Sequence, residues 1–425
     1  MAPAPVLAHA AHGNAFGVPE WLLVATLVLA AALTWLALRT SWPAPRLEPA
    51  AAGRLLPGWT AAARRVLAAA AAVAGLGVWL LTVTAGLFAT NDPTRNLAPF
   101  VVSPQFLLGG GLLVSAVIGD WWRSASPFAT LARLLPDRDD VAPAPSWIGP
   151  VMLGSFLWLA YAFHDGGQPR AAGAWLAAYT VAALAGAARW GRSWARSGEG
   201  FALLFATVAR AAPFARDEDT GRVRLRPPVV GLGRGLGREP RPAGAGIACL
   251  VVTGAVVFGA IRRLDWWQLE VRGHRTGWES TLVDSFGLAF VVGVAAIVWT
   301  VATRGRIVPV EPLVPVTVGI VTAFLLTDAL SRAVDVAALL SDPYGKGWDL
   351  FGTTAWFPDI GWQSSTRLAW TEIGALAAGA VLAVLVAHDR ALATDRGRVA
   401  AERALLPQIV ATTLLATTAL AILLR

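Results

Sequence analysis

Long apolar runs alternate with short polar stretches from one end of the chain to the other. Ten of these runs, at about 18–38, 66–87, 100–118, 147–163, 171–188, 244–261, 285–302, 312–330, 367–386 and 405–424, approach the length of a membrane crossing. An α-helix rises about 1.5 Å per residue and the hydrocarbon core is about 30 Å thick, so roughly 17–25 apolar residues span it. The pattern predicts an all-α fold, a polytopic transmembrane helical bundle of about ten spans. It forms one integral membrane domain over residues 1–425, with the lipid bilayer as its main partner. No polar stretch between the runs is large enough to fold as a separate soluble domain.

Charge adds an orientation. Lys346 is the only lysine among 35 basic residues, and the arginines are divided unevenly between alternate loops. With the N-terminus outside, the inner loops are about 39–65, 119–146, 189–243, 303–311 and 387–404, and they hold 25 basic residues against 10 in the outer segments. That is the asymmetry of the positive-inside rule, and it predicts both termini outside. The loop 262–284 runs against it, because Arg262, Arg263, Arg272 and Arg275 fall on the outer side. A net charge of +8 does not indicate nucleic acid here, since the cations sit in short loops between spans, where anionic lipid is the natural counterpart. No nucleic-acid partner is expected. The expected location is the bacterial cytoplasmic (plasma) membrane, multi-pass.

The first run lacks a basic leader and a cleavage-like stretch, so it reads as a retained helix with an exported tail. Cys249, the single cysteine, lies within the sixth run and reads as a small apolar residue. Loop 189–243 contains the apolar piece Phe201 to Val208. It ends in RVRLRPPVVGLGRGLGREPRPAG, whose Gly, Pro and Arg content predicts a flexible basic cytoplasmic linker. Phe128, Leu131, Leu134 and Leu135 fall near one helical face, which predicts a short surface helix. Many of the twenty tryptophans lie near span ends, as an interfacial belt would place them. Segment 331–366 is expected to be a structured outer loop: Asp342-Pro343 has the pattern of a helix start, and Gly345 and Gly347 force turns.

Chemistry must come from polar groups at or within the spans, because charge at membrane depth is costly. Asp328, in the eighth run, and Glu372, in the ninth, are the two acids that stand out. The plain reading pairs Asp328 with Arg332, one helical turn on, and Glu372 with Arg367. His12, His164 and His274 are assigned outside with acids that include Asp349. Imidazole with carboxylate is a ligand set for zinc or another divalent metal, although no pair has metal-motif spacing. The competing reading is solvated loop histidines.

Several segments together resemble the actinobacterial membrane proteins known as fenitrothion hydrolase-like. They are AHGNAFGVPEWL (11–22), NLAPFVV (96–102), IGDWWRSASPF (118–128), RVRLRPPVVGL (222–232), PLVPVTVG (312–319), LLSDPYGKGWDLFGT (339–353) and AHDRAL (387–392). The resemblance implies a membrane-bound organophosphorus hydrolase built of two related subunits. Where the family pattern has histidines in the eighth span, this chain has Glu311 and Phe324, which points to a divergent member or a non-catalytic partner.

Three function classes follow. In the first, a metal hydroxide at the outer face attacks an ester or phosphotriester, with Asp328, Glu372 and Asp349 as catalytic candidates and His12, His164 and His274 as metal ligands. The second is a subunit of a larger membrane complex, beside a homologous or other membrane subunit. The third is a transporter coupled through Asp328 and Glu372, against which the sequence shows no paired broken spans. Any centre is expected on the outer side, between the eighth and ninth spans, the SDPYGKGWDLFG loop and the N-terminal tail.

Overall fold

Within lipid, backbone N–H and C=O groups have no water to bond, so apolar runs close their hydrogen bonds internally as helices. The computed structural model describes residues 18–48, 52–58, 61–136, 143–217, 220–233, 244–303, 310–358, 366–393 and 398–424, and all ten apolar runs fall on helix. The first two spans are α1 (Glu20–Ser41) and α2 (Ala61–Phe88). The third is broken into α3 (Ala98–Val101), a π-helical segment (Pro104–Gly110) and α4 (Gly111–Val117). Short helices α5 (Trp122–Ala125) and α6 (Pro127–Leu131) lead to α7 (Ile148–Tyr161) and α8 (Pro169–Trp190). Then come α9 (Trp194–Ser197), α10 (Gly200–Ala209), α11 (Ala245–Ile261), α12 (Gly277–Thr303), α13 (Leu313–Ser341), α14 (Thr366–Leu392) and α15 (Arg398–Leu423).

The chain is thus an all-α polytopic bundle. Among the described residues, eight segments are long and apolar enough to cross a membrane, counting the broken third span as one. The other two expected crossings, α7 and α11, have only 14 and 17 residues. Their position explains this: α11 is buried along most of its length, and a helix walled off from lipid need not match the hydrocarbon thickness. At the contact of α13 with α14, a methyl placed on Gly319 would lie 2.7 Å from the Ala375 carbonyl oxygen, so only glycine allows that approach.

Side-chain contacts sort the connections into two ends, in the alternation that consecutive crossings require. At one end Thr84 meets Tyr344, Arg170 meets Leu87, and His164 meets Thr281. At the other, Trp42 meets Asp389 and Arg210 meets Glu311. This second end also carries a small antiparallel sheet of β1 (Arg54–Leu55), β3 (Val223–Leu225) and β2 (Phe214–Arg216), in that order. We call the two the pocket end and the sheet end. The inner loops expected from the arginine count are those of the sheet end.

Several expectations change. In the loop 189–243, expected to be flexible and basic, the described residues hold α9, α10 and two strands, and nine of the ten residues of α10 are buried. Length misled there, because ten apolar residues are too few for a crossing but enough for a helix enclosed by others. Glu199 starts it, its carboxylate accepting the N–H groups of Phe201 (2.9 Å) and Ala202 (3.0 Å), the Tyr179 hydroxyl and the Trp122 indole. Phe128, expected on a membrane surface, is buried against Trp122 and Tyr179. Trp21, Trp147, Trp266 and Trp370 stay exposed as belt residues, whereas Trp122 and Trp267 are buried donors to carboxylates. Asp342 closes a turn and starts no helix, accepting the N–H groups of Lys346 (2.8 Å) and Gly347 (2.7 Å). Gly345 and Gly347 have φ +66° and +83°, the left-handed turns expected of them.

Candidate functional site

The two acids lie near the pocket end of adjacent helices. Glu372, in the first third of α14, is buried and accepts the hydroxyl of Thr327 at 3.2 Å. Thr327 directly precedes Asp328 on α13. The pairing expected for Asp328 is replaced. Its carboxylate stands 3.7 Å from Arg263, at the end of α11, while Arg332 lies over the Phe100 ring at 4.6 Å and 3.6 Å from Asp335. An i+4 partner lost to one from another helix because Arg332 has an aromatic face and a nearer acid. For Glu372 the contact seen runs to Thr327, and Arg367 is exposed at the start of the helix.

Arg263, the partner of Asp328, also lines a cavity of about 440 Å³. Its walls include Phe100, Ser103 and Gln105 of the broken third span, Tyr161 at the end of α7, and Arg262, Arg263 and Arg332. The break has a local cause. Pro99 and Pro104 each lack an N–H, and the Ser103 hydroxyl caps the new segment by accepting the Phe106 N–H at 3.1 Å. Gly109 then fits against α13, where a methyl would sit 3.0 Å from Leu325 Cβ. Irregular backbone at such depth is tolerated where it lines a cavity or is buried in protein, and π-helical turns recur at functional sites. Gly259 on α11 leaves room for the Tyr161 ring, which an added methyl would approach to 2.5 Å.

The three cations are not equally committed. Arg262 donates from Nε to Asp284 at 2.8 Å, and Trp267 holds the other oxygen of that buried carboxylate at 3.0 Å. Arg263 and Arg332 have only long contacts to acids, and their side chains are 45% and 39% exposed. The Tyr161 hydroxyl is buried at the cavity wall and has no hydrogen-bond partner. Together they form a site rich in donors, with two guanidinium groups free to turn. The arginines at 262 and 263 were visible in the sequence as cations on the wrong side. They pair with Asp284 and Asp328.

The remaining candidates are not gathered here. Asp349 lies exposed in the loop after α13, accepting the Thr354 N–H at 3.3 Å. That loop is held by Ser341, whose hydroxyl accepts the Phe351 N–H at 3.1 Å and meets Thr353 at 2.6 Å. His164 touches Thr281 (2.9 Å) and Asp165 (3.4 Å), its ring edge-on to Phe163 and Trp278. His274 is exposed in the loop before α12, and His12 lies outside the described residues. Among the described residues no three His, Cys, Asp or Glu side chains converge as a metal site would need.

A second polar cluster lies at the sheet end. Glu311, fully buried, is gripped by Arg210 (3.3 Å) and Arg390 (3.4 Å), and Arg226 in turn donates to the carbonyl of Arg210 (2.8 Å). Next to it, buried Asp389 accepts Trp42 Nε1 (3.0 Å) and the N–H groups of Arg46 (2.6 Å) and Leu47 (3.1 Å). This cluster pins the α1–β1 connection and the β-sheet segment to α13 and α14.

No family model, no curated protein and no solved structure matches the chain. The functional reading therefore rests on the residues themselves.

Proposed function

We propose that the protein resides in the plasma membrane of a bacterium, pocket end outward, and that the cavity beside Asp328 binds a small oxyanion, a carboxylate or phosphate ester. The observation that carries this is the donor set: Arg262, Arg263, Arg332 and the unpartnered Tyr161 hydroxyl around one cavity. Arginine suits such ligands because its planar fork donates two parallel hydrogen bonds to two oxygens. The excess of basic residues at the sheet end supports the orientation. Calorimetric titration of the purified protein with dimethyl phosphate and with acetate tests the reading. Binding that Arg332→Gln weakens is expected, and no binding of either anion would refute it.

A second reading is hydrolysis, favoured by the position of two carboxylates next to the cations. The same donors would stabilise the oxyanion formed when water attacks an ester or phosphotriester, and Asp328 or Glu372 would take the proton from water. The family resemblance implies the same reaction. Release of p-nitrophenol from neutral p-nitrophenyl esters, lost in Glu372→Gln and Asp328→Asn, is its test.

A further inference from the structure

Arg263 lines the cavity and is also the cation nearest to Asp328. The separation of 3.7 Å is within ion-pair range but too long for a good hydrogen bond, so the guanidinium is easily drawn elsewhere. Behind Asp328, the buried carboxyl of Glu372 is tied to the preceding residue through the Thr327 hydroxyl. Asp328 and Glu372 therefore lie on facing turns of α13 and α14, and the arginine nearest to Asp328 also lines the cavity.

The surroundings leave few other ways to balance charge. On α13, Arg332 and Asp335 accompany Asp328. From the end of α11 come Arg262 and Arg263, and from α12 Asp284, which Arg262 and Trp267 already occupy. The end of α7 contributes Tyr161, and the third span contributes no charged side chain to the cavity wall. On α14, Arg367 sits at the exposed helix start, and α1 adds Glu20 at its own exposed start. Each arginine lining the cavity thus has one acid partner, so a bound anion brings a negative charge that nothing at the site yet neutralises.

We propose that the cavity takes up about one proton with each anion, at the Asp328–Glu372 corner, because the anion and Asp328 compete for Arg263. The inference rests on the oxyanion reading above. In the empty state Arg263 neutralises Asp328. When an anion draws Arg263 away, Asp328 loses its nearest cation, and a proton restores the balance. Anion and proton enter together, and the net charge of the site is unchanged. Linkage requires the reverse as well: anion affinity falls as pH rises, by about tenfold per pH unit once the corner is deprotonated in the empty protein.

The test is calorimetric titration of the detergent-solubilised full chain with dimethyl phosphate, an anion whose own charge does not change across the neutral range. Run in buffers of high and low ionisation enthalpy, it counts protons taken up per anion bound. The expected result is close to one proton, with affinity falling as pH rises. Asp328→Asn and Glu372→Gln, each judged by monodispersity to be folded, should still bind, and at least one should lose both proton uptake and the pH dependence. Binding by the native protein with no proton uptake and no pH dependence overturns the coupling and leaves the oxyanion reading intact. Uptake that persists unchanged in both variants overturns the assignment to this corner. Absence of binding removes both readings together.

Discussion

The two ends of the bundle use the same chemical parts, arginines and carboxylates, to opposite effect. At the sheet end Glu311 is wholly buried between Arg210 and Arg390, and the neighbouring Asp389 collects an indole and two backbone N–H groups. At the pocket end Arg263 and Arg332 make the longer ion pairs, at 3.7 and 3.6 Å, and remain partly in the open with a cavity against them. Enclosure is the difference. A buried ion held between enclosed partners locks segments together, whereas cations with slack beside a cavity can rearrange for a ligand.

The comparison breaks first, and hardest, at the sheet end. Replacing Glu311 by Ala leaves Arg210 and Arg390 facing each other without their anion, and removing one partner of a buried pair costs about 3–5 kcal/mol. Thermal unfolding in detergent should show the loss as a large drop in midpoint, while a midpoint close to native would mean the cluster is not holding the fold. Arg332→Gln at the pocket end should behave in the opposite way. Its exposed pairing is worth under about 1 kcal/mol to stability, but anion affinity should fall about tenfold to a hundredfold, as for a hydrogen bond to a charged group. Equal stability losses at both ends would erase the distinction.

Tyr161→Phe sharpens it further. The hydroxyl has no partner in the protein, so its removal should leave the unfolding midpoint unchanged or slightly raised, while anion affinity drops about threefold to tenfold. A clear loss of stability with unaltered binding would show that the hydroxyl serves the fold. The smallest effect concerns the sheet. Hydrogen bonds from Thr220, with Arg224 beside it, lower the Asp217 carboxyl from 3.8 to about 2. A depressed carboxylate adds stability that is present above its unfolded value and is lost as pH falls through the folded one. Pepsin cleavage of the β2–β3 hairpin should therefore rise between pH 4 and 2, and Asp217→Asn should be cleaved readily and with little pH dependence across that window.

Much of this arrangement was legible in the chain. Apolar length alone marked ten helical runs, because that signal is one-dimensional, but not the short buried α10. Asp328 and Glu372 stood out since acids within apolar runs are rare. What could not be read was partnership across helices. Asp328 has Arg332 one turn away, yet Arg263 holds it, and the choice depends on Phe100 and Asp335 lying near Arg332. Tyr161 escaped notice because a tyrosine at a helix end is unremarkable until its hydroxyl is found buried and unpartnered. The broken third span was hinted at by Pro99, Pro104 and the glycines at 109–111, but its length and apolarity fitted a continuous crossing. His164 follows α7 and His274 precedes α12, in different connections, and His12 lies outside the described residues.

Helix α10 also says something about how the protein is made. It is too short to enter a bilayer as a crossing, and its walls include α11 and α13, which leave the ribosome after it. Until those later helices arrive, Phe201, Leu204 and Phe205 have no complete enclosure, so the centre of the molecule closes only after most of the chain has been synthesised. A nascent chain halted before residue 245 should expose this segment to protease, and one extended past residue 341 should protect it.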